Sequence, residues 1–169
     1  MFHPRASVLL GALFIVATTP SCTSGVTRRG DEPAGERLRC QEGVALAPPG
    51  RPLLANDVYL AVDKVLAVEP SGRTDSNALL SAKAGLWVRV GARVQLTVAG
   101  PEAGSIGWGS AARLTHHVVV ADCQGGGSAG WLVWPGGFWV PRPACLHLEL
   151  SSHGQHRDIG VPVGEPCPT

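Results

Sequence analysis

Five cysteines are the residues of this 169-residue chain whose spacing most constrains its chemistry. They form no Cys-x-x-Cys pair, so the usual zinc-ribbon and dithiol redox spacings are absent. Setting aside Cys22 in the N-terminal signal leaves Cys40, Cys123, Cys145 and Cys167, an even number that predicts two disulfides in an exported protein. Three connectivities are possible. We favour Cys123–Cys145, which would flank a Trp-rich hairpin, and Cys40–Cys167, which would tie the domain ends together.

Histidines near the C-terminus suggest a metal site as one hypothesis. His147, His153 and His156 lie close in sequence, and imidazole nitrogens bind copper or zinc. His116 and His117 are adjacent in a predicted strand, so their side chains point to opposite faces and do not chelate one ion. The alternative for the C-terminal histidines is the solvated polar face that alternating strands normally present.

Five tryptophans in so short a chain raise the question of a stacking surface for sugar rings. We take Trp131, Trp134 and Trp139 as candidate ligand-binding residues, with a cell-wall glycan or peptidoglycan as the ligand. The alternative is that the tryptophans fill the core. Because side chains alternate along a strand, Trp131 and Trp134 lie on opposite faces, and at least one is expected to point outward.

Catalytic patterns are missing from the sequence. There is no Gly-x-Ser-x-Gly elbow and no Ser-x-x-Lys motif, so we expect a protein that is not an enzyme and needs no cofactor. The chain has 14 Lys and Arg against 13 Asp and Glu, a formal net charge of +1. Without a basic excess, nucleic acid is not an expected partner.

The N-terminus has the pattern of an export signal. Arg5 precedes an apolar run from Val8 to Ala17 that is too short to span a bilayer. Small residues then lead to Cys22, as in a bacterial lipoprotein signal, so we expect residues 1–21 to be removed and Cys22 to carry a lipid that anchors the protein to the membrane. Thr19 stands where such signals normally have Leu. Plain secretion and an uncleaved anchor therefore remain open.

The elements that must position these residues are predicted to be short strands. The chain contains 22 Gly and 14 Pro, which disfavour long helices. Alternating apolar residues before and after Gly91 predict a hairpin of 86–90 with 94–98. Leu79 to Ala84 is predicted as a short helical turn. Further strands are predicted at 58–68, 116–121, 131–134, 138–140, 146–150 and 159–163, with the turn Pro135 to Gly137 joining an aromatic hairpin. The segment 57–68 also has its apolar residues at helical spacing, so a helix is the alternative there.

This pattern predicts an all-β protein, an immunoglobulin-like antiparallel β-sandwich stapled by disulfides, with a small β-barrel as the alternative. Residues 1–21 form the signal peptide. Residues 22–56, rich in Pro, Gly and Arg, are expected to be a partly irregular tether. Residues 57–169 are expected to form the sandwich domain.

The most distinctive stretch runs from Gly130 to Cys145 and reads Gly-Trp-Leu-Val-Trp-Pro-Gly-Gly-Phe-Trp-Val-Pro-Arg-Pro-Ala-Cys. Together with Ala84 to Leu86, Ile106 to Gly109 and Val163 to Cys167, it resembles a group of small exported actinobacterial proteins. The resemblance covers about half of the chain and transfers no catalytic or ligand residue. We therefore expect an exported envelope protein, a binding or accessory module whose partner is a cell-wall glycan or an envelope protein.

Overall fold

Short β-strands form nearly all the regular structure. The computed structural model describes residues 35–54, 56–72, 79–100, 104–110, 112–125 and 127–168. Within these ranges it contains thirteen strands and two single-turn 3-10 segments, Cys40–Glu42 and Gly127–Ala129, and no helix long and apolar enough to cross a membrane. The strands are β1 (Glu36–Arg37), β2 (Val44–Ala45), β3 (Val58–Tyr59), β4 (Glu69–Pro70), β5 (Leu80–Lys83), β6 (Leu86–Arg89), β7 (Val94–Val98), β8 (Ser105–Trp108), β9 (His117–Val120), β10 (Trp131–Trp134), β11 (Gly136–Val140), β12 (Ala144–Ser152) and β13 (Gln155–Val163).

One layer is a five-stranded sheet in the order β1-β9-β7-β12-β13. Its pairs are antiparallel except for β1, which runs parallel to β9. The nine-residue strands β12 and β13 form a hairpin through His153 and Gly154. Both turn residues have positive φ, 48° and 73°, as a type I′ turn requires. The turn thereby fixes the register of the longest pair in the molecule.

The opposite layer is built on one long, bent ribbon. Strand β10 pairs with β6, and β11 pairs with β5, in a register that continues without a slip from Trp131 opposite Arg89 to Val140 opposite Leu80. The regular pairing is interrupted between these two sets of pairs, at a break that we call the kink. There the Ala84 backbone N–H donates to the Gly136 carbonyl at 2.8 Å. The kink divides the layer into two four-stranded sheets, β2-β10-β6-β3 and β4-β5-β11-β8.

The core lies between the layers and confirms the predicted disulfide-stapled sandwich. Strand faces that alternate in burial point inward from both layers. The Trp108 and Phe138 rings meet edge to face at 5.7 Å, and the buried Trp108 indole donates to the Ala84 carbonyl at 2.9 Å. The largest fully buried side chains include Trp108, Trp134, Phe138, Leu86, Leu96, Ile106, Leu146, Leu148 and Leu150.

Two predicted hairpins are wrong. Strand β6 belongs to the bent layer and β7 to the five-stranded sheet, so the turn at Gly91 carries the chain from one layer to the other. Likewise β11 continues the line of β10 beyond Pro135 and does not fold back on it. Alternation identifies a strand and its buried face, whereas the pairing partner depends on contacts that are distant in sequence.

Two element assignments also change. The predicted helical turn at 79–84 is strand β5, whose Ala82 packs in the core. The predicted strand 58–68 is regular only at Val58–Tyr59. The rest of this segment is anchored by two buried leucines, Leu60 and Leu66, and the Leu66 backbone N–H donates to the Pro162 carbonyl at 2.8 Å. Asp63 and Lys64, which lie between the two leucines, are exposed.

All four predicted cysteines form disulfides, but the favoured connectivity is wrong. The bonds are Cys40–Cys123 and Cys145–Cys167. The parallel pairing of Arg37 with Val119 brings the residues that follow each strand together, which joins Cys40 to Cys123. Two disulfides are typical of a protein in an oxidising extracytoplasmic compartment.

The sandwich begins earlier than the predicted boundary at residue 57. In the expected tether, 22–56, the described part packs on the domain: Leu38 is buried and its backbone N–H donates to the Val119 carbonyl at 2.9 Å. Two-residue strands at 36–37 and 44–45 are too short to show alternation in the sequence. The predicted signal peptide and the lipidation residue Cys22 lie outside the described residues.

Candidate functional site

The signature stretch places its aromatic side chains alternately on the two faces of the bent layer. Trp131 and Trp139 point outward, whereas Trp134 and Phe138 point into the core. Trp134 has no exposed surface, and its indole donates to the Arg39 carbonyl at 3.0 Å. The expectation that Trp134 contributes to a ligand surface is therefore wrong. The expectation that one of Trp131 and Trp134 points outward is confirmed.

Trp131 faces outward but is covered. Trp131 is only 7% exposed, and the Arg89 guanidinium lies over its ring, 5.0 Å from the ring centre. Such a cation over an indole is a favourable contact. The Arg89 Nε also donates to the Asn56 carbonyl at 3.0 Å, which holds the guanidinium in place. Trp131 thus offers no open ring face to a ligand.

Trp139 lines a groove at the kink with a cavity volume of about 940 Å³. This volume lies in the range of ligand sites, which runs from about 300 to 1,000 Å³. Most lining groups are small and apolar. They are Val44, Ala82, Ala84, Gly85, Gly109, Ala112, Val133, Pro135 and Gly136, with Glu69, Ser71, Ser81 and Lys83 supplying the polar groups.

Glycines bring the walls of the groove together. A side chain at Gly85 would meet the Trp87 ring at 2.5 Å, and one at Gly136 would meet the Trp108 Cα at 2.6 Å. A Cβ on Gly107 would lie 3.4 Å from the Trp139 ring, so this indole packs on bare backbone. The Pro-Gly-Gly sequence at 135–137 therefore makes the kink and keeps the floor of the groove at backbone level.

The polar end of the groove carries both signs of charge. Lys83 Nζ lies 2.6 Å from Glu69 Oε1, and both side chains are exposed. Ser81 stands opposite Trp139 on the neighbouring strand, and its hydroxyl donates to the Glu69 carbonyl at 3.4 Å. A ligand in the groove would meet an indole and apolar side chains along its length, and a hydroxyl, an ammonium and a carboxylate at this end.

Glu42 fastens the N-terminal 3-10 segment to the wall of the groove. Its carboxylate accepts a hydrogen bond from the Ser110 hydroxyl at 2.8 Å and is paired with Arg39. The Ser110 hydrogen bond, followed by the Arg39 charge, lowers the pKa of Glu42 below its ordinary value. Gly109, which precedes Ser110, has a φ of 93°, and a side chain there would meet the Glu42 carboxylate at 2.5 Å.

No family model, curated protein or solved structure matches this chain. The resemblance to exported actinobacterial proteins thus stays a prediction.

The three predicted metal ligands are not brought together. His147 is exposed on the outer face of β12, where its Nε2 lies 4.0 Å from Cys145 Sγ. His156 pairs opposite Ser151, four residues further along the same strand, which corresponds to roughly 13 Å. His153 is in the turn, 3.6 Å from the Asp57 carboxylate. Among the residues described, no group of three His, Cys, Asp or Glu side chains is arranged to hold a metal ion.

A buried carboxylate that no sequence pattern singled out lies near this turn. Asp57 accepts a hydrogen bond from the Ser152 hydroxyl at 2.8 Å, and Arg89 Nε lies 3.9 Å from its other oxygen. These residue types are those of a hydrolytic triad, but the Ser152 hydroxyl donates to Asp57 and not to His153, so the arrangement is not that of a triad. Asp57 instead joins β3 to the β12–β13 turn. Its signal in the sequence is a single acidic residue immediately before an apolar run.

Proposed function

We propose that this chain is an exported, non-enzymatic binding module of the cell envelope whose ligand occupies the groove at the kink. The observation that carries the proposal is the half-buried Trp139 indole, which forms one wall of a concavity of about 940 Å³. The two disulfides of the protein support a location outside the cytoplasm. A lipid on Cys22 would hold the module at the membrane surface.

The ligand class that fits the groove best is a cell-wall glycan. A pyranose ring has an apolar face that stacks on an indole and hydroxyls that need polar partners. Trp139 supplies the indole, and Ser81, Lys83 and Glu69 supply donors and acceptors at one end. Since exposed ion pairs contribute little to stability, Lys83 and Glu69 can exchange their mutual contact for contacts with sugar hydroxyls at small cost.

Co-sedimentation with insoluble cell wall tests the proposal. We expect the wild-type protein to sediment with the wall across a range of salt concentrations, and Trp139→Ala to bind about 30-fold more weakly because the stacking wall is lost. Thermal melting of each variant checks that the fold is intact. If the wild-type protein stays in the supernatant at every salt concentration, the glycan ligand is wrong.

Two exposed valines provide a matched pair of variants. Val44 is 60% exposed and lines the groove, whereas Val65 is 46% exposed and does not line it. Val44→Ser is expected to weaken wall binding, and Val65→Ser is expected to leave it unchanged. Equal binding by both valine variants and by Trp139→Ala would show that the wall is bound elsewhere on the surface.

A further inference from the structure

The two disulfides lie in different surroundings. In Cys40–Cys123, Cys123 is only 3% exposed, and Cys40 is partly buried and packs against the core. In Cys145–Cys167, both cysteines are only partly buried, and the bond lies on the outer face of the β12–β13 hairpin. The sulfurs rest on the backbone of Gly160, where a side chain would meet Cys167 Sγ at 2.8 Å. Neither cysteine of Cys145–Cys167 is as buried as Cys123, so this bond is the more open of the two to attack by a reductant.

An imidazole stands beside this accessible bond. His147 follows Cys145 by two residues on the same strand face, and its Nε2 lies 4.0 Å from Cys145 Sγ. An imidazolium or an imidazole N–H next to a sulfur stabilises the thiolate that forms when a disulfide opens. The position of His147 thus favours Cys145 as the leaving sulfur.

The bond also attaches the residues after β13 to the sandwich. The Gly164 backbone N–H donates to the Leu66 carbonyl at 2.9 Å, and beyond it the described residues 165–168 are in no strand. Glu165, Pro166 and Pro168 are exposed. Cys167 therefore fastens a short tail over Gly160, at the edge of the five-stranded sheet that β13 forms.

We propose that Cys145–Cys167 is a site of thiol–disulfide exchange that an envelope dithiol opens while Cys40–Cys123 stays closed. One thiolate of the dithiol attacks Cys167 Sγ, forms a mixed disulfide and expels Cys145 as a thiolate, which His147 stabilises and which then takes up a proton. The second thiol of the reductant attacks its partner sulfur and expels Cys167, which is protonated from solvent. The dithiol ends as a disulfide and the protein gains two thiols, which frees the tail from Gly160.

Dithiothreitol is the probe that tests this assignment on the full, oxidised protein under native conditions. Samples are alkylated at successive times, and each cysteine is quantified by peptide mass. We expect Cys145 and Cys167 to be labelled at least about tenfold faster than Cys40 and Cys123, because the burial of Cys123 hinders in-line attack on the Cys40–Cys123 bond. Equal labelling rates for the two pairs would overturn the proposal.

Histidine variants test the part assigned to His147. His147→Asn is expected to slow opening of Cys145–Cys167 several-fold, since the thiolate loses its stabilising partner. His156→Asn changes an exposed histidine on the same hairpin and serves as the matched control, with an unchanged rate expected. An unchanged rate in His147→Asn, with both variants melting like the wild type, would overturn the role of His147.

Discussion

Glu42 shows how a single side chain joins a short N-terminal element to the candidate site. The Ser110 hydroxyl and the Arg39 guanidinium both favour its ionised form and lower its pKa from the ordinary value of 4.5. Because the pKa of Glu42 is lower in the folded than in the unfolded protein, its carboxylate stabilises the fold at pH values above the ordinary pKa. That contribution is lost as the pH falls through the folded-state pKa.

The Ser110 hydroxyl is expected to make the largest contribution to the pKa shift of Glu42. Ser110→Ala removes the hydrogen bond that has the largest effect, so the pKa of Glu42 is expected to rise toward 4.5. A pH titration followed by NMR of the Glu42 side chain measures it. Ser128→Ala changes an exposed serine elsewhere and is the control. A Glu42 pKa that is the same in Ser110→Ala and in the wild type would contradict the role of the Ser110 hydrogen bond.

For single residues, the sequence predicts which face of a strand a side chain lies on better than it predicts which residues cover that side chain. Strand alternation correctly separates Trp131 from Trp134, because it depends only on local geometry. It does not indicate that Trp134 faces the core, nor that Arg89 covers Trp131. Both facts depend on which strand lies beside β10. The aromatic pattern predicts Trp139 as a ligand residue, but the residues that line its groove come from five separate stretches of the chain and carry no motif.

The kinked ribbon is the element on which the candidate site depends. Its two glycines at 136 and 137 let β11 approach β8 and β5 closely: a Cβ at 136 would strike Gly107 and Trp108, and one at 137 would strike Ala82. These are backbone obstacles that no side-chain rotation relieves. The kink therefore requires glycine at both positions.

Substitution of a glycine in the kinked ribbon is expected to destabilise the fold. Gly136→Ala is expected to lower the free energy of unfolding by about 3 kcal/mol or more, measured by urea denaturation, because strand backbone must move apart. Gly91→Ala is the control, since Gly91 has no atom within 4 Å of its added Cβ and costs only the strain of its φ of 79°, about 1–2 kcal/mol. Equal losses in the two variants would contradict the steric origin of the kink.

Pairing between elements is where the sequence-based prediction of the fold fails. The alternation in β6 and β7 is real, and so is the turn at Gly91 between them, yet the strands lie in different layers. The predicted disulfide connectivity is wrong for the same reason, because the true connectivity depends on contacts between residues that are distant in sequence. Their even number and export context predict two bonds, but the connectivity follows from the parallel pairing of β1 with β9, which no local pattern encodes.

The whole molecule is constrained unequally by its two disulfides. Cys40–Cys123 closes a loop with a sequence separation of 83, and Cys145–Cys167 one of 22. Loop-closure entropy then predicts a loss of about 4–5 kcal/mol for the double variant Cys40→Ala/Cys123→Ala and about 3 kcal/mol for Cys145→Ala/Cys167→Ala. Urea denaturation of both double variants measures the difference. A larger loss from the shorter loop would contradict this ranking.

The order of the two disulfides along the chain has a mechanical consequence. A force applied at Cys40 and Cys167 passes from Cys40 directly to Cys123 and from Cys145 directly to Cys167, so the segments inside both loops carry no tension. The stretch from Cys123 to Cys145 alone can extend, by at most about 75 Å. That stretch contains β10, β11 and Trp139, so pulling between Cys40 and Cys167 would take apart the groove first.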